Sequence, residues 1–263
     1  MKIKSATSIK GKRDYMEDSA SFVVGSKSII TVCDGHGGDS LSKKTVKELP
    51  HLLMKIDSKS PLENAIDIQT IIINYGDSVY RTKAGTTLTG AIEYGDYIYV
   101  FNVGDSRTSI HMKEPTTVNY IKPVFNEEGE FSESKHFIFE TTFFTTIDHD
   151  STLLDEQNRI KNAGGVLVGD RLNGILNVTR TLGDNGVGPG LNHTPDVYWI
   201  NKKDIIAIVV YTDGVYQNMP NHRDIQQKHL LYHIAEKYGS EMLIKYAFNN
   251  NRSEDNITVV VLG

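Results

Sequence analysis

Short apolar runs and helically spaced apolar positions divide the chain into recognisable elements. Residues 19–24 and 28–32 are β-prone runs on either side of Gly25 and predict a hairpin. Val46, Leu49, Leu53 and Ile56 then recur at spacings of three and four, which predicts a helix with a kink at Pro50. Ala65, Ile68, Ile72, Tyr75 and Val79 repeat that pattern behind Pro61, a residue suited to the first turn of a helix. Strands are expected over 86–93, 97–103 and 107–112, separated by the turn-forming pairs Gly95-Asp96 and Gly104-Asp105. Residues 136–146 form another β-prone run, rich in Phe, Ile and Thr. The polar stretch 113–135, with Pro115, Pro123 and Gly129, reads as a loop. A helix is expected over 151–163, with Ser151 as N-cap and Gly164-Gly165 as its end. The continuous apolar run 205–211 suits a buried strand, 225–248 reads as one helix broken near Gly239 or as two, and 257–262 is a last buried strand.

Hairpin signals dominate this order, and strands do not alternate regularly with helices. A doubly wound parallel sheet is therefore disfavoured. The expected class is α+β, with two antiparallel sheets forming a sandwich and helices covering it. No repeat, Pro-rich linker or low-complexity block interrupts the chain, so residues 1–263 read as a single domain.

Composition narrows the functional classes. Twenty-eight Lys and Arg against 33 Asp and Glu give a net charge of −5, without the basic footprint of a nucleic-acid binder. A single cysteine, Cys33, rules out an intrachain disulfide framework. The N-terminal stretch has no apolar core of the kind a secretory signal needs, and no apolar run approaches the ~20 residues of a membrane span. A cytoplasmic or nuclear protein, with neither nucleic acid nor membrane as partner, is expected.

The candidate chemistry lies where β-prone runs end in aspartate beside glycine. Residues 29–33 lead into Asp34-Gly35, 209–212 into Asp213-Gly214 and 99–103 into Gly104-Asp105, while Asp255-Asn256 stands just before the last strand. A carboxylate at the mouth of a buried strand is costly to desolvate unless it is paired or bound to a cation. If these ends converge, the carboxylates repel one another and a divalent metal relieves the repulsion. Hard oxygen donors favour Mg²⁺ or Mn²⁺, and no CxxC or HExxH suggests zinc. Two such ions about 3.5–4 Å apart can clamp an in-line displacement at phosphorus. His36 is near enough in sequence to act as general acid, and Arg13 offers a planar charged fork for phosphate. Taken singly, each Asp-Gly is also an ordinary turn, His36 an ordinary loop histidine and Asp148-His149-Asp150 a helix-capping turn. The glycine-rich 183–190 matches neither GxxxxGK[ST] nor GxGxxG.

In order along the chain stand GKRDYMED (11–18), VCDGHGG (32–38), AGTTLTGA (84–91), NVGDSR (102–107) and TTIDHD (145–150). NRIKNAGG (158–165), TRTLGD (179–184), YTDGVYQNM (211–219) and SEDNITVVVL (253–262) follow. This series resembles the metal-dependent Ser/Thr protein phosphatase family, type 2C. The resemblance implies a four-layer α-β-β-α sandwich with a metal cleft at one end. It assigns Asp34 to both metals, the Gly35 carbonyl to one, and Asp213 and Asp255 to the second. Glu17 and Asp18 would hold metal-bound water or bind directly, and Asp148 would go with a weaker third ion. Arg13 matches the phosphate-binding arginine and His36 the general acid. The implied reaction is hydrolysis of phosphoserine and phosphothreonine by a hydroxide bridging two Mg²⁺ or Mn²⁺ ions, without a phosphoenzyme. A phosphorylated protein is the expected substrate of a monomeric, bare catalytic domain.

Many members of that family carry aspartate where this chain has Gln217, so a weakened third site is expected. The flap that follows 179–184 in the family is glycine-rich here and carries no substrate signature. Two other functions are compatible with the same residues: a pseudophosphatase that keeps the fold as a binding module, and a hydrolase of small phosphoesters.

Overall fold

The computed structural model describes residues 1–58 and 60–263. Among the described residues five α-helices, α1 (Ser40–Leu53), α2 (Pro61–Val79), α3 (Leu154–Asn162), α4 (Ile225–Tyr238) and α5 (Ser240–Asn251), flank a main ten-stranded sheet. Its strands run in the spatial order Ile3–Ile9, Ile257–Leu262, Ile205–Tyr211, Arg107–Phe125, Asp196–Asn201, Tyr97–Val103, Leu88–Tyr94, Ser28–Cys33 and Ser19–Val24. Phe131–Thr145 pairs with Arg107–Phe125 alone, and every pairing is antiparallel.

The sheet is continuous but works as two. The 19-residue strand Arg107–Phe125 gives its first part, 107–112, to Ile205–Tyr211 and its later part, 118–121, to Asp196–Asn201. A register shift between His111 and Thr116 separates these parts, and irregularities of this kind bend a strand. The two halves thereby face each other. Ile30, Val32, Val100 and Tyr198 of one half pack against Ile110, Ile208, Val210 and Val260 of the other. Alternate residues point outward, as strand geometry requires. Ile29, Tyr99, Phe101 and Trp199 bury Leu49 of α1 and Ile68 and Ile72 of α2. On the opposite outer face Ala207, Val209, Tyr211 and Val259 bury Leu231 of α4 and Leu243 and Ala247 of α5. The layers are α-β-β-α, as expected, with the sheets joined through one bent strand.

Most expected elements are present; two differ, and two strands were not expected. Residues 113–135 are not a loop: they are the arms and turn of the Arg107–Phe125/Phe131–Thr145 hairpin. Both prolines fall where the strand lacks a ladder partner on one side, Pro115 at the register shift and Pro123 beyond the 118–121 pairing, so their missing N–H groups cost little. The Phe131–Thr145 arm is largely exposed, whereas the other arm buries Thr116, Val118, Tyr120 and Ile121. The helix expected from Ser151 begins later, at Leu154, with no side-chain cap. The strands Ile3–Ile9 and Asp196–Asn201 were not foreseen. Pro61 does open α2, and Gly239, at φ +87°, separates α4 from α5.

Helix α3 is held by charge more than by apolar packing. The buried Glu156 carboxylate accepts from Arg159 Nη2 (2.7 Å), Arg180 Nη2 (2.6 Å) and Thr179 Oγ1 (2.7 Å). Arg180 continues to Asp196 Oδ1 (3.1 Å), on the central sheet. Burial pushes the Glu156 carboxyl up, but the two guanidiniums outweigh it and hold it well below the usual range. Removing one member of such a network strands buried charge. Glu156→Gln is expected to lower unfolding stability by about 3–5 kcal/mol in denaturant titration; a loss within error would contradict a clamping role for this carboxylate.

Candidate active site

The topology gathers the acidic strand ends at one end of the sandwich. Ser28–Cys33 and Tyr97–Val103 run in the same direction because Leu88–Tyr94 lies antiparallel between them. They deliver Asp34 and Asp105 to the same side. Tyr211 pairs with both Arg107 and Val259, so Asp213 and Asp255 emerge there too. The link from Val103 to Arg107 passes from one half of the sandwich to the other and leaves Asp105 between them.

A cleft of about 310 Å³ opens at this end, lined by Arg13, Glu17, Asp34, Gly35, His36, Thr87, Asp105, Gln217, Asp213, Asp255 and Asn256. Arg171, Leu176, Asn177 and Val178 line it as well. The glycine-rich 183–190 does not line it.

Local hydrogen bonds explain why the motifs have their composition. The backbone of Asp34 is pinned by Thr86 and Thr87: its carbonyl accepts from Thr87 N (2.9 Å) and Thr86 Oγ1 (3.0 Å), and its amide donates to Thr87 Oγ1 (3.0 Å). The glycines after Asp34 and Asp213 are required by close approach. A Cβ on Gly35 would lie 2.6 Å from the Glu17 carbonyl, and one on Gly214 would lie 2.0 Å from the Asn256 carbonyl. Asn256 holds the 10–17 segment over the cleft, donating to the carbonyls of Lys10 (2.8 Å) and Tyr15 (3.0 Å) and accepting from Glu17 N (2.7 Å).

Arg13 Nη2 lies 2.7 Å from Asp255 Oδ2, and Gln217 Nε2 donates to the same oxygen at 2.9 Å. Glu17 Oε1 accepts from Gly38 N at 2.6 Å. His36 Nε2 lies 2.7 Å from Asp184 Oδ2. Asp18 sits behind the cleft wall, where Oδ2 accepts from Thr212 Oγ1 (2.9 Å) and Oδ1 is buried without a partner.

Asp148 does not join this group. Both its oxygens are taken by Arg107, at 2.8 and 2.6 Å, and Arg107 is itself buried over the Tyr216 ring. Burial alone would raise the Asp148 carboxyl, but Arg107 holds it below the ordinary range. Its pairing with Arg107 sets it apart from the unpaired aspartates of the cleft, although it lies near enough to Asp105 to raise that carboxyl. Conversely, the sequence named Asp105 and Asn256 at its acidic strand ends without giving either a role, and did not point to Arg171. Asp105 carried the right signal, an aspartate beside glycine at a strand end; Arg171 matched none of the motifs read from the sequence.

The electrostatics of the cleft are those of crowded acids. Burial pushes Asp34 and Asp105 well above the usual carboxylate range, and neighbouring aspartates push them further. Asp213 is raised by burial and by Asp255. Asp18 is pushed up to about 7, burial being the main cause. Among the described residues no three His, Cys, Asp or Glu side chains close around one point as a ready cage. Mg²⁺ does not require one, since it keeps several waters and takes one or two carboxylates. The crowded oxygen donors, the backbone carbonyl of Gly35 and the orphaned Asp18 oxygen fit hard divalent cations.

The protein phosphatase 2C family profile matches residues 6–256. The chain belongs to the protein phosphatase 2C family. The enzyme class follows from that membership: a protein serine/threonine phosphatase, of a metal-dependent family. Among curated relatives, the probable protein phosphatase 2C 56 of Oryza sativa subsp. japonica is 28% identical, the match covering 97% of this chain and 69% of that protein. Probable protein phosphatase 2C 7 of the same plant is 26% identical over 97% of this chain and 64% of its own length. Protein phosphatase 1L of Bos taurus is 27% identical, with 97% and 70% covered. A phosphatase structure from Toxoplasma gondii superposes with a TM-score of 0.71 at 17% identity, covering 98% of this chain and 91% of that one. That likeness establishes the fold of this 2C chain. No helix among the described residues is long and apolar enough to cross a membrane.

The crowded acids make a prediction for the metal-free 2C domain. Their folded-state pKa values are raised, so between about pH 4 and 7 the folded protein binds more protons than the unfolded chain. Unfolding free energy then falls as pH rises through that window. The melting temperature of metal-stripped protein is expected to drop from pH 5 to pH 8, and saturating Mg²⁺ or Mn²⁺ to remove most of the drop. A flat metal-free profile would contradict the crowding.

Proposed function

We propose that this cleft hydrolyses phosphoserine and phosphothreonine in proteins, with Mg²⁺ or Mn²⁺ held by Asp34, Gly35 O, Asp213 and Asp255, and with Glu17 and Asp18 ordering water around them. The observation that carries the reading is the convergence of Asp34, Asp105 and Asp213 beside an accessible arginine and a histidine. When bound, the two ions neutralise charge on the phosphoryl oxygens and make water acidic enough to attack at neutral pH.

The remaining steps belong to side chains. Arg13 is more than half exposed, and only one edge of its guanidinium is used on Asp255, so the fork can meet phosphate oxygens and orient the ester. His36 gives a proton to the departing seryl or threonyl oxygen as the P–O bond breaks. No side-chain nucleophile competes. Cys33 is fully buried, and burial pushes its thiol up, far from the thiolate a phosphoenzyme would need. Asp148, committed to Arg107, is left out of the ion-holding set. Gln217 binds Asp255 through its amide nitrogen, so at this position the chain presents a donor to a carboxylate rather than a further carboxylate to a metal. A third ion is accordingly weakly held.

Two experiments test this. A phosphothreonine peptide is expected to be hydrolysed with Mn²⁺ or Mg²⁺, not with excess EDTA, and Asp213→Ala is expected to cost at least about 100-fold. Folded protein inactive at saturating metal would instead point to the binding-module reading, and activity confined to small esters to the small-phosphoester one. Gln217→Asp is expected to lower the Mn²⁺ concentration at half-maximal rate; an unchanged metal requirement would contradict the role given to Gln217.

A further inference from the structure

Three distant stretches of chain meet beside the cleft in a small second sheet. Leu182–Gly183 pairs with Gly85–Thr86, which pairs with Gly35–His36, both antiparallel. The register sets His36 opposite Gly85 and Gly85 opposite Gly183. Asp184 follows at once, and its Oδ2 lies 2.7 Å from His36 Nε2 while accepting from Thr181 Oγ1 at 2.6 Å. The His36 side chain is 33% exposed and that of Asp184 only 5%, so the carboxylate approaches the ring from the protein side.

Two features show that the surroundings are shaped around this contact. A Cβ on residue 85 would lie 2.0 Å from Asp184 Oδ2 and 2.2 Å from His36 Nε2, so the pair can form only across a glycine. Asp184 itself sits at φ +60°, a left-handed conformation that is sparsely populated outside glycine. Its backbone amide is tied to the Ala84 carbonyl at 3.3 Å, which keeps it there.

Resting on the reading of His36 as the acid, we propose that Asp184 is its positioning residue. The carboxylate engages Nε2 and fixes the ring, which leaves Nδ1 as the nitrogen that gives its proton to substrate. As the P–O bond breaks, the electron pair goes to the departing seryl or threonyl oxygen. The Nδ1 proton follows it, and the ring is left neutral. A carboxylate behind an imidazole restricts its orientation and tautomer in the same way wherever the pair occurs.

A general acid matters for a poor leaving group and little for a good one, which separates this role from a merely structural one. The test uses the full chain with Mn²⁺ and two substrates, a phosphothreonine peptide and 4-nitrophenyl phosphate, whose leaving nitrophenolate needs no proton. Asp184→Gly and Asp184→Asn both tolerate the left-handed backbone. They are compared with His36→Ala, all in variants whose thermal unfolding matches the parent. We expect Asp184→Gly to lose about 10- to 100-fold in kcat on the peptide and little on the nitrophenyl ester. Asp184→Asn, which keeps an acceptor for Nε2, should recover part of the loss, and His36→Ala should show the same split. Equal losses on both substrates, or no loss on the peptide, in the Asp184 variants would overturn the proposal if His36→Ala still shows the split. If His36→Ala does not discriminate between the substrates, the reading of His36 itself falls.

Discussion

The central constraint on this fold is the crowding of buried and half-buried aspartates at one end of the sandwich. Asp34, Asp105 and Asp213 occupy one end of the sandwich, with Asp18 buried behind them, and burial and mutual repulsion raise all four. A protein gains no stability from such an arrangement, because each carboxylate gives up hydration without an equivalent partner. The arrangement makes sense where a divalent cation completes it. Asp148 is the contrast. It is an equally buried aspartate, but Arg107 satisfies both its oxygens, and its carboxyl shifts in the opposite direction.

The architecture serves that convergence. Because Arg107–Phe125 passes from one half of the sheet to the other, the link before it, with Asp105, lies between the halves. Close approaches then fix the rest. Gly35 and Gly214 let the backbone crowd in beside the two aspartates they follow, and Gly85 opens the space in which His36 meets Asp184. The second small sheet belongs to the same design, since it holds the histidine against an element distant in sequence.

Much of this was legible in the chain. Helices α1 and α2, the hairpins from 19 to 103 and the two closing strands follow from apolar spacing and turn residues. Asp34, Asp213 and Asp255 follow from aspartates placed where apolar runs stop. What escaped has physical reasons. The 113–135 ribbon carries Pro115, Pro123 and Gly129, and its Phe131–Thr145 arm is exposed over most of its length, so these loop signals mask the alternation that 116–121 does show. Ile3–Ile9 is an edge strand with few buried apolar positions. The two-residue strands at 35–36, 85–86 and 182–183 are too short for any periodicity, so the His36–Asp184 contact could not be read from sequence. Asp148 fitted the family pattern by position, but its partner Arg107 lies 41 residues away, and only the fold shows that the two are paired.

Whether a metal occupies this end of the sandwich decides the account. The most direct measurement is anomalous diffraction from crystals of this protein grown with Mn²⁺. The account predicts Mn²⁺ peaks in the cleft, within coordinating distance of Asp34 and Asp213 carboxylate oxygens and of the Gly35 carbonyl. Crystals with Mn²⁺ in saturating excess that show none there, and the aspartates unchanged, would contradict it.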